Sequence, residues 1–176
     1  MEWKWEKMNN EKKLYYPNNK IKRVFKIITN HPDIIFYRAV RIFRKYYIAK
    51  KEKNKIKIVF YGIVANRYAR KYNLELYGHY GKNLRIWHSN IIINGNAILG
   101  DNINLHVNNC IGNNGKDSKA PVIGNNVDVG YGAVIIGNIK IGNNVKIGAN
   151  STVTKSFEEG VTIAGSPAKV ISKNEN

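Results

Sequence analysis

Two histidines, His88 and His106, are the residues of this sequence whose chemical type and spacing best suit the transfer of a proton. An imidazole has an unperturbed pKa of about 6.5, so near neutral pH it can accept a proton from a hydroxyl group that attacks a carbonyl carbon. We therefore interpret His88 as a general base. His106 and the neighbouring Trp87 are candidates for substrate contact or for a second catalytic role.

Both histidines lie in a stretch in which aliphatic residues recur every six positions. The period starts at Tyr80, and its clearest run is Ile123, Val129, Ile135, Ile141, Ile147 and Val153. A hexad repeat is typical of a parallel β-helix, whose left-handed form is a triangular prism with one hexad on each side. The residue that opens each hexad points inward, so Ile123 is expected to stack on Ile141, and Val129 on Ile147. Gly and Asn are expected at the corners because they tolerate positive φ.

The predicted fold class is mainly β: a left-handed parallel β-helix of about four coils with an N-terminal α-helical segment. The pattern divides the chain into three predicted parts. They are a basic helical N-terminal region (1–73), a left-handed β-helix domain (74–160) and a C-terminal closing segment with a tail (161–176).

Two interruptions of the period mark the places where function is expected. The step of seven residues that follows Ile86 contains His88, whose side chain we expect to be pushed off the prism. Residues 112–121 fit no core position and predict an extruded loop. His106 follows His88 by eighteen residues, or one coil, so it is expected to stack over Trp87 and His88. The loop is expected on the same side of the prism.

The first 80 residues are far more basic than the rest. They contain 20 Lys/Arg and 6 Asp/Glu, a net charge of +14, whereas residues 81–176 carry a net charge of +3. Residues 1–19 are expected to be loosely ordered because they are rich in Asn and Lys. Helical spacing then predicts two helices, the second reaching about Tyr72. Basic amphipathic helices pack on each other or on a partner subunit, or lie on an anionic membrane.

The composition limits the classes of protein that fit. The single cysteine, Cys110, allows no internal disulfide and fits a reducing compartment, and a small buried side chain is a simpler interpretation of it than a nucleophile. Neither a signal-peptide pattern nor a long uncharged apolar stretch is evident. A cytoplasmic location is therefore expected, with peripheral contact at the inner face of the cell membrane as an option. No nucleic-acid partner is expected, because no binding motif is recognisable.

Three segments of the chain carry motifs that belong together. They are GKNLRIWHSNIIIN (81–94), GDNINLHVNNCIGNNGKDSKAPVIGNNVDVG (100–130) and GANSTVTKSFEEGVTIAGSPAKVI (148–171). Together they resemble the hexapeptide-repeat (left-handed β-helix) acyltransferases of the serine-acetyltransferase-like branch, and most of all the short members from capsule and exopolysaccharide clusters. In this resemblance the first segment carries the catalytic histidine, which falls on His88, and the last forms the C-terminal closure.

The resemblance implies an acetyl-coenzyme A-dependent O-acetyltransferase, active as a homotrimer with the co-substrate between adjacent subunits. The residues that it assigns to the co-substrate are Gly112, Asn113, Tyr131, Gly132, Ala149, Ala164, Gly165 and Lys169. Backbone N–H groups of Gly112 and Asn113 are expected to stabilise the thioester oxygen as it gains negative charge. No metal is expected, because His79, His88 and His106 lack the spacing of a zinc site.

Two departures from the family pattern bear on the acceptor. Serine acetyltransferases have an Asp before the catalytic histidine and a second active-site His before Pro in the loop, whereas this sequence has Trp87 and Ala120 there. The main hypothesis is therefore acetylation of a sugar hydroxyl in surface polysaccharide biosynthesis. The alternatives are serine O-acetylation, which makes the acceptor a small molecule rather than a glycan, and a non-catalytic β-helix scaffold whose basic region binds membrane or nucleic acid.

Overall fold

The computed structural model of the chain describes residues 8–173, which begin with four α-helices. The helices are α1 (Met8–Tyr15), α2 (Lys20–Ile28), α3 (Pro32–Lys51) and α4 (Lys55–Tyr72). Side chains cap three of them: Asn19 accepts from backbone N–H groups of α2, His31 from α3 and Asn54 from α4. Within residues 8–173, no helix is both long and apolar enough to span a membrane.

The first helix corrects one expectation. Of the residues predicted to be loosely ordered, 1–7 lie outside the described part of the chain, but residues 8–15 form α1. Its Glu11 is buried and accepts hydrogen bonds from both terminal nitrogens of Arg44, with Nη2 2.7 Å from Oε1. Burial alone would lower the pKa of Arg44, but the hydrogen bond and charge of Glu11 outweigh it and raise that pKa. The pair fixes α1 on α3.

The helices pack on the first coil of the β-structure and close that end of it. Tyr15 Oη donates a hydrogen bond to the carbonyl oxygen of Leu84 at 2.8 Å, and Tyr80 Oη donates to that of Val40 at 2.7 Å. Arg44 Nη2 also donates to the carbonyl oxygen of Gly81. Burial strongly raises the pKa of both tyrosines, so both hydroxyls stay protonated donors.

Short strands follow the helices in regular succession. In chain order they are β1 (Leu74–Leu76), β2 (His79–Tyr80), β3 (Arg85–Ile86), β4 (Ile91–Ile93), β5 (Ile98–Leu99), β6 (Asn104–Leu105), β7 (Asn109–Gly112), β8 (Val122–Ile123), β9 (Asp128–Val129), β10 (Val134–Ile136), β11 (Lys140–Ile141), β12 (Lys146–Ile147), β13 (Thr152–Val153), β14 (Val161–Ala164) and β15 (Lys169–Lys173).

The strands form the three faces of a left-handed parallel β-helix, as predicted. Sheet A has the order β1-β4-β7-β10-β13, sheet B β11-β8-β5-β2 and sheet C β15-β14-β12-β9-β6-β3. Only β15 pairs antiparallel, against β14. The prism has about five turns rather than the predicted four. The difference arises because β1 starts a coil before Tyr80, the first residue of the recognised period, and β14 adds a rung after Val153.

The inward residues stack in the predicted register. Ile123 pairs with Ile141, and Val129 pairs with Ile147. The side chains that open the hexads of the clear run are buried, and so are the residues four positions further on, namely Val127, Ala133, Ile139, Val145 and Ser151. Each coil therefore adds one layer to a continuous apolar core.

At the corners, Gly and Asn have different structural roles, whereas the sequence predicted positive φ for both. The positive φ angles there belong mainly to asparagines, such as Asn126 and Asn144, both at 56°. Their amides also stack, with Asn126 Nδ2 donating to Asn144 Oδ1 at 3.0 Å. Gly124 has no positive φ, but a Cβ there would lie 2.7 Å from Asn143 Oδ1. Glycine is needed at that corner for close approach between coils rather than for backbone conformation.

Two corners at opposite edges of sheet A matter for function. The histidine corner leads from sheet C into sheet A and comprises residues 87–90, 106–108, 130–133 and 148–151. The loop corner leads from sheet A into sheet B and comprises residues 94–97, 113–121 and 137–139.

Candidate active site

The histidine corner brings Trp87 and His106 together, as predicted. Trp87 donates its backbone N–H to Leu105, which sets the two coils in register. The indole and imidazole rings are then stacked, with centroids 6.0 Å apart and planes at 13°. Arg85 lies on the indole, its guanidinium carbon 3.7 Å from the ring centroid. Because Arg85 is outward-facing on β3, the same strand positions both members of this cation–π contact.

His106 has a carboxylate partner that the sequence analysis missed. Its Nε2 lies 2.8 Å from Oδ1 of Asp128, which faces outward on the next strand of sheet C because Val129 faces inward. A neutral imidazole that donates from Nε2 keeps Nδ1 as an acceptor, so the contact selects one tautomer. The hexad phase could have revealed it, since Asp128 directly precedes an inward position.

His88 is the exposed histidine of this corner. Its backbone N–H donates to the carbonyl oxygen of His106 at 3.0 Å, which holds the two residues on adjacent coils. Within residues 8–173, no hydrogen bond or ion pair engages its imidazole. The ring is therefore accessible to a substrate hydroxyl, whereas the ring of His106 is already held by Trp87 and Asp128.

A shallow cleft of about 320 Å³ opens beside this corner. It extends from the start of α3 and the end of α4 to Ser89, the residue after His88, and it is also lined by Phe36 and Tyr72. The helical region thus forms one wall of a space that reaches the residue directly after His88.

Several residues assigned to the co-substrate share the histidine corner. Tyr131 and Gly132 occupy the turn before β10, and Ala149 the turn before β13. Tyr131 Oη accepts a hydrogen bond from Asn108 Nδ2 at 3.0 Å. Gly132 has φ 67°, and a Cβ there would lie 2.3 Å from Asn150 Oδ1. These turns are the third and fourth of the histidine corner, whereas His88 lies in the first.

The C-terminal closure adds co-substrate residues along the same corner, at the end of the prism opposite the helices. Ala164 ends β14 and pairs with Lys169 of β15, whose side chain is exposed. Gly165 follows with φ 99°, and its carbonyl oxygen accepts from the backbone N–H of Thr152. A Cβ at Gly148 would lie 2.9 Å from the Cβ of Ala164, so this closure lies directly against the histidine corner.

The remaining co-substrate residues lie at the other edge of sheet A, so the loop borders the predicted side of the prism but at the opposite edge from the histidines. Gly112 ends β7, and Asn113 begins the loop at the far edge of sheet A. Asn96 Nδ2, on the same loop corner, donates to the carbonyl oxygen of Ser118 at 2.7 Å. The strands of sheet A separate the loop from His88 by about 10 Å. The sequence period locates a coil but does not say which corner an insertion leaves.

The other reactive side chains have structural surroundings. Cys110 is half-buried, and burial raises the pKa of its thiol, which disfavours the thiolate. His31 caps α3, and His79 packs against the ring of Tyr47 with centroids 5.2 Å apart. Burial, with nearby cations, lowers the pKa of His79. Among the described residues, no group of three or more His, Cys, Asp or Glu could hold a metal ion.

The comparison with protein families agrees with the repeat. Residues 120–155 match the family described as bacterial transferase hexapeptide (six repeats). The chain carries the hexapeptide repeat of the bacterial transferases. This hexapeptide-repeat chain resembles the serine-acetyltransferase-like branch, as its motifs predicted. The nearer likeness to capsule and exopolysaccharide members stays a prediction.

Known proteins resemble the hexapeptide-repeat chain well beyond that match. A serine acetyltransferase of Staphylococcus aureus (strain Mu50 / ATCC 700699) is 33% identical over 134 residues, which cover 74% of this chain. The chain spans only 59% of the length of that relative.

Superposition on solved structures shows that the similarity in fold also includes the helices. The serine acetyltransferase of Brucella abortus strain S19 superposes with a TM-score of 0.77 at 24% identity, covering 96% of this chain and 69% of that one. The serine acetyltransferase of Neisseria gonorrhoeae superposes with a TM-score of 0.79 at 24% identity, covering 97% of this chain and 64% of that one. Both likenesses concern the fold, including the helices that line the cleft.

Proposed function

We propose that this protein is an O-acetyltransferase that moves the acetyl group of acetyl-coenzyme A to the hydroxyl group of a small acceptor. The observation that carries the proposal is the exposed imidazole of His88, which no hydrogen bond or ion pair engages within residues 8–173 and which directly precedes Ser89 in the wall of the cleft. The likeness in sequence to serine acetyltransferases supports the same chemistry.

His88 acts as general base in a single direct transfer. Its imidazole accepts the proton of the acceptor hydroxyl while the oxygen forms a bond to the thioester carbon. The resulting tetrahedral intermediate expels coenzyme A as the carbon–sulfur bond breaks, and the imidazolium returns its proton to the departing thiolate. Atoms and charge balance without an acyl-enzyme, consistent with the raised thiol pKa of Cys110.

His106 orients the acceptor rather than taking its proton. Stacking on Trp87 and the hydrogen bond to Asp128 fix its ring, so its free nitrogen presents a defined acceptor to the substrate. This division of roles follows from exposure. The exposed ring of His88 can approach a hydroxyl, and the fixed ring of His106 can hold one in place.

The complete site requires two copies of the chain. In one chain the loop corner and the histidine corner lie at opposite edges of sheet A, so the N–H groups of Gly112 and Asn113 cannot reach a thioester beside the same chain's His88. A neighbouring copy in a homotrimer, with its loop corner against this histidine corner, would supply them. The thioester oxygen would then meet fixed donors as it gains charge.

Serine is the acceptor to test first, because the relative in S. aureus is a serine acetyltransferase. This choice reverses the preference of the sequence analysis for a sugar. A sugar hydroxyl remains the second candidate on one observation: Trp87, next to His88, is 41% exposed. An indole is apolar but carries an N–H donor, which suits a sugar with its apolar and hydroxyl groups.

An assay of coenzyme A release tests this proposal. Thiol formation from acetyl-coenzyme A would be followed with wild type and with His88→Ala, against L-serine, a panel of sugars and no acceptor. Release with serine that is lost in the variant supports the main proposal, and release only with a sugar supports the second candidate. If no acceptor gives release and coenzyme A does not bind, the protein is a non-catalytic scaffold and the proposal is wrong.

A further inference from the structure

The second helix exposes apolar residues and partly buries charged ones, the reverse of an ordinary surface helix. A surface helix normally buries its apolar stripe and exposes its charges. In α2 no residue is buried, and Ile21, Phe25 and Ile28 are 80%, 65% and 75% exposed. The charged Arg23 and Lys26 are instead half-buried, and Lys26 forms an ion pair with Asp33 of α3.

The fourth helix repeats this arrangement. Its buried residue is Ala65, and an apolar stripe faces outward at its N-terminal half. Ile56 and Phe60 in that stripe are 83% and 61% exposed, and Val59 and Ile63 continue it. From the sequence, this spacing was compatible with packing on another helix or a partner subunit and with a membrane surface. The α2 stripe (residues 21, 24, 25 and 28) and the α4 stripe (residues 56, 59, 60 and 63) are therefore both uncovered.

Cations border both stripes. Lys20 and Lys22 are exposed on α2, which contains no acidic residue, and Lys53 and Lys55 are exposed at the start of α4. A second copy seated on these stripes would bring a half-chain of net charge +14 against its own like charge. An anionic bilayer offers opposite charge and an apolar interior together, and aromatic and aliphatic side chains bordered by Lys suit it.

We propose that the α2 and α4 stripes dock this protein on the surface of an anionic lipid bilayer. The apolar side chains enter the boundary between headgroups and acyl chains, and the bordering lysines contact anionic headgroups. The contact is peripheral. It is independent of the proposed acetyl transfer and adds a surface partner to it.

Vesicle flotation tests this with the full chain. Vesicles of phosphatidylcholine alone would be compared with vesicles that also contain phosphatidylglycerol. The test variants are Phe25→Ser/Ile28→Ser on α2 and Phe60→Ser/Ile63→Ser on α4. The matched control is Val170→Ser/Ile171→Ser, whose side chains are 51% and 64% exposed on β15. Thermal unfolding followed by circular dichroism identifies any variant that fails to fold.

We expect wild type and the control to float with the anionic vesicles, and salt to weaken that binding. Each test variant should lose about tenfold or more in binding, because two large apolar side chains no longer leave water. Equal binding to both kinds of vesicle, or test variants that float as the control does, would overturn the proposal. So would wild type that stays at the bottom as a larger oligomer which the variants dissociate, since the stripes would then cover each other.

Discussion

The two corners at the edges of sheet A are built by the same repeat but carry different chemistry. The histidine corner holds an exposed imidazole, a fixed imidazole and turns of small residues, with Asp128 on the adjoining strand. The loop corner holds the extruded segment 113–121 and the end of β7 at Gly112. A base at one edge and the expected thioester donors at the other cannot serve one substrate within a chain. The difference points to a site made where copies meet.

The strongest test of the different roles of the two corners removes the proposed base, His88. His88→Ala is expected to lower kcat/KM for acetyl transfer by about 10²–10⁴-fold, the usual contribution of a general base. Steady-state thiol release measures it. Lys146→Ala, which removes an exposed side chain further along sheet C, is the control and should keep wild-type activity. Wild-type activity in His88→Ala would show that His88 is not the general base.

A second test uses the remaining corner, between sheets B and C, where α1 is anchored. Glu11→Ala leaves the buried Arg44 guanidinium without its charge partner and is expected to cost about 3–5 kcal/mol of unfolding free energy. Denaturant unfolding measures the change. Activity per folded molecule should stay at the wild-type level, because neither residue borders the histidine corner or the loop corner. A lower kcat in fully folded Glu11→Ala would contradict that separation.

A matched pair of glycines compares the corners directly. Gly132 and Gly115 both have positive φ, at 67° and 75°, so alanine strains either backbone by about 1–2 kcal/mol. A Cβ at Gly132 also meets Asn150 Oδ1 at 2.3 Å, whereas nothing lies within 4 Å of one at Gly115. Gly132→Ala should therefore lower the melting temperature more than Gly115→Ala. Equal losses would mean that the histidine corner is no more tightly packed than the loop.

The smallest of these effects is expected at the ring of His106. Asp128→Asn keeps the shape but removes the carboxylate that selects the tautomer, so kcat/KM should fall by about tenfold through KM, because His106 positions the acceptor. The saturation curve for the acceptor separates KM from kcat. A fall in kcat with KM unchanged would instead assign proton transfer to His106.

The β-helix was predictable because its rule is local and repeats. Each hexad places a residue at the same inward position. The spacing therefore predicted that Ile123 stacks on Ile141 and Trp87 on His106. The packing of the helices on the first coil was not predictable in this way. Tyr15 and Leu84 are 69 residues apart, and a contact of that range leaves no period in the sequence. The exposed stripes have helical spacing identical to that of buried ones, so the pattern could not say what covers them.

The site was predictable in part for the same reason. The interruption at His88 identified a corner, and the coil length placed His106 beside it. The loop borders the predicted side of the prism, but its edge could not be predicted because the number of residues in an insertion does not reveal the edge from which it leaves. Asp128 was missed because that loop lies between it and His106 and shifts the count.

Mixed trimers give the most direct test of a site that two copies share. His88→Ala removes the base, and Gly112→Trp fills the loop corner, where a Cβ has no neighbour closer than 4.0 Å. Each variant alone should be inactive. If the two corners meet between copies, equal mixing on refolding should restore about a quarter of wild-type acetyl transfer, since some sites combine an intact His88 with an intact loop corner. Continued inactivity of trimers shown to contain both chains would contradict the shared site.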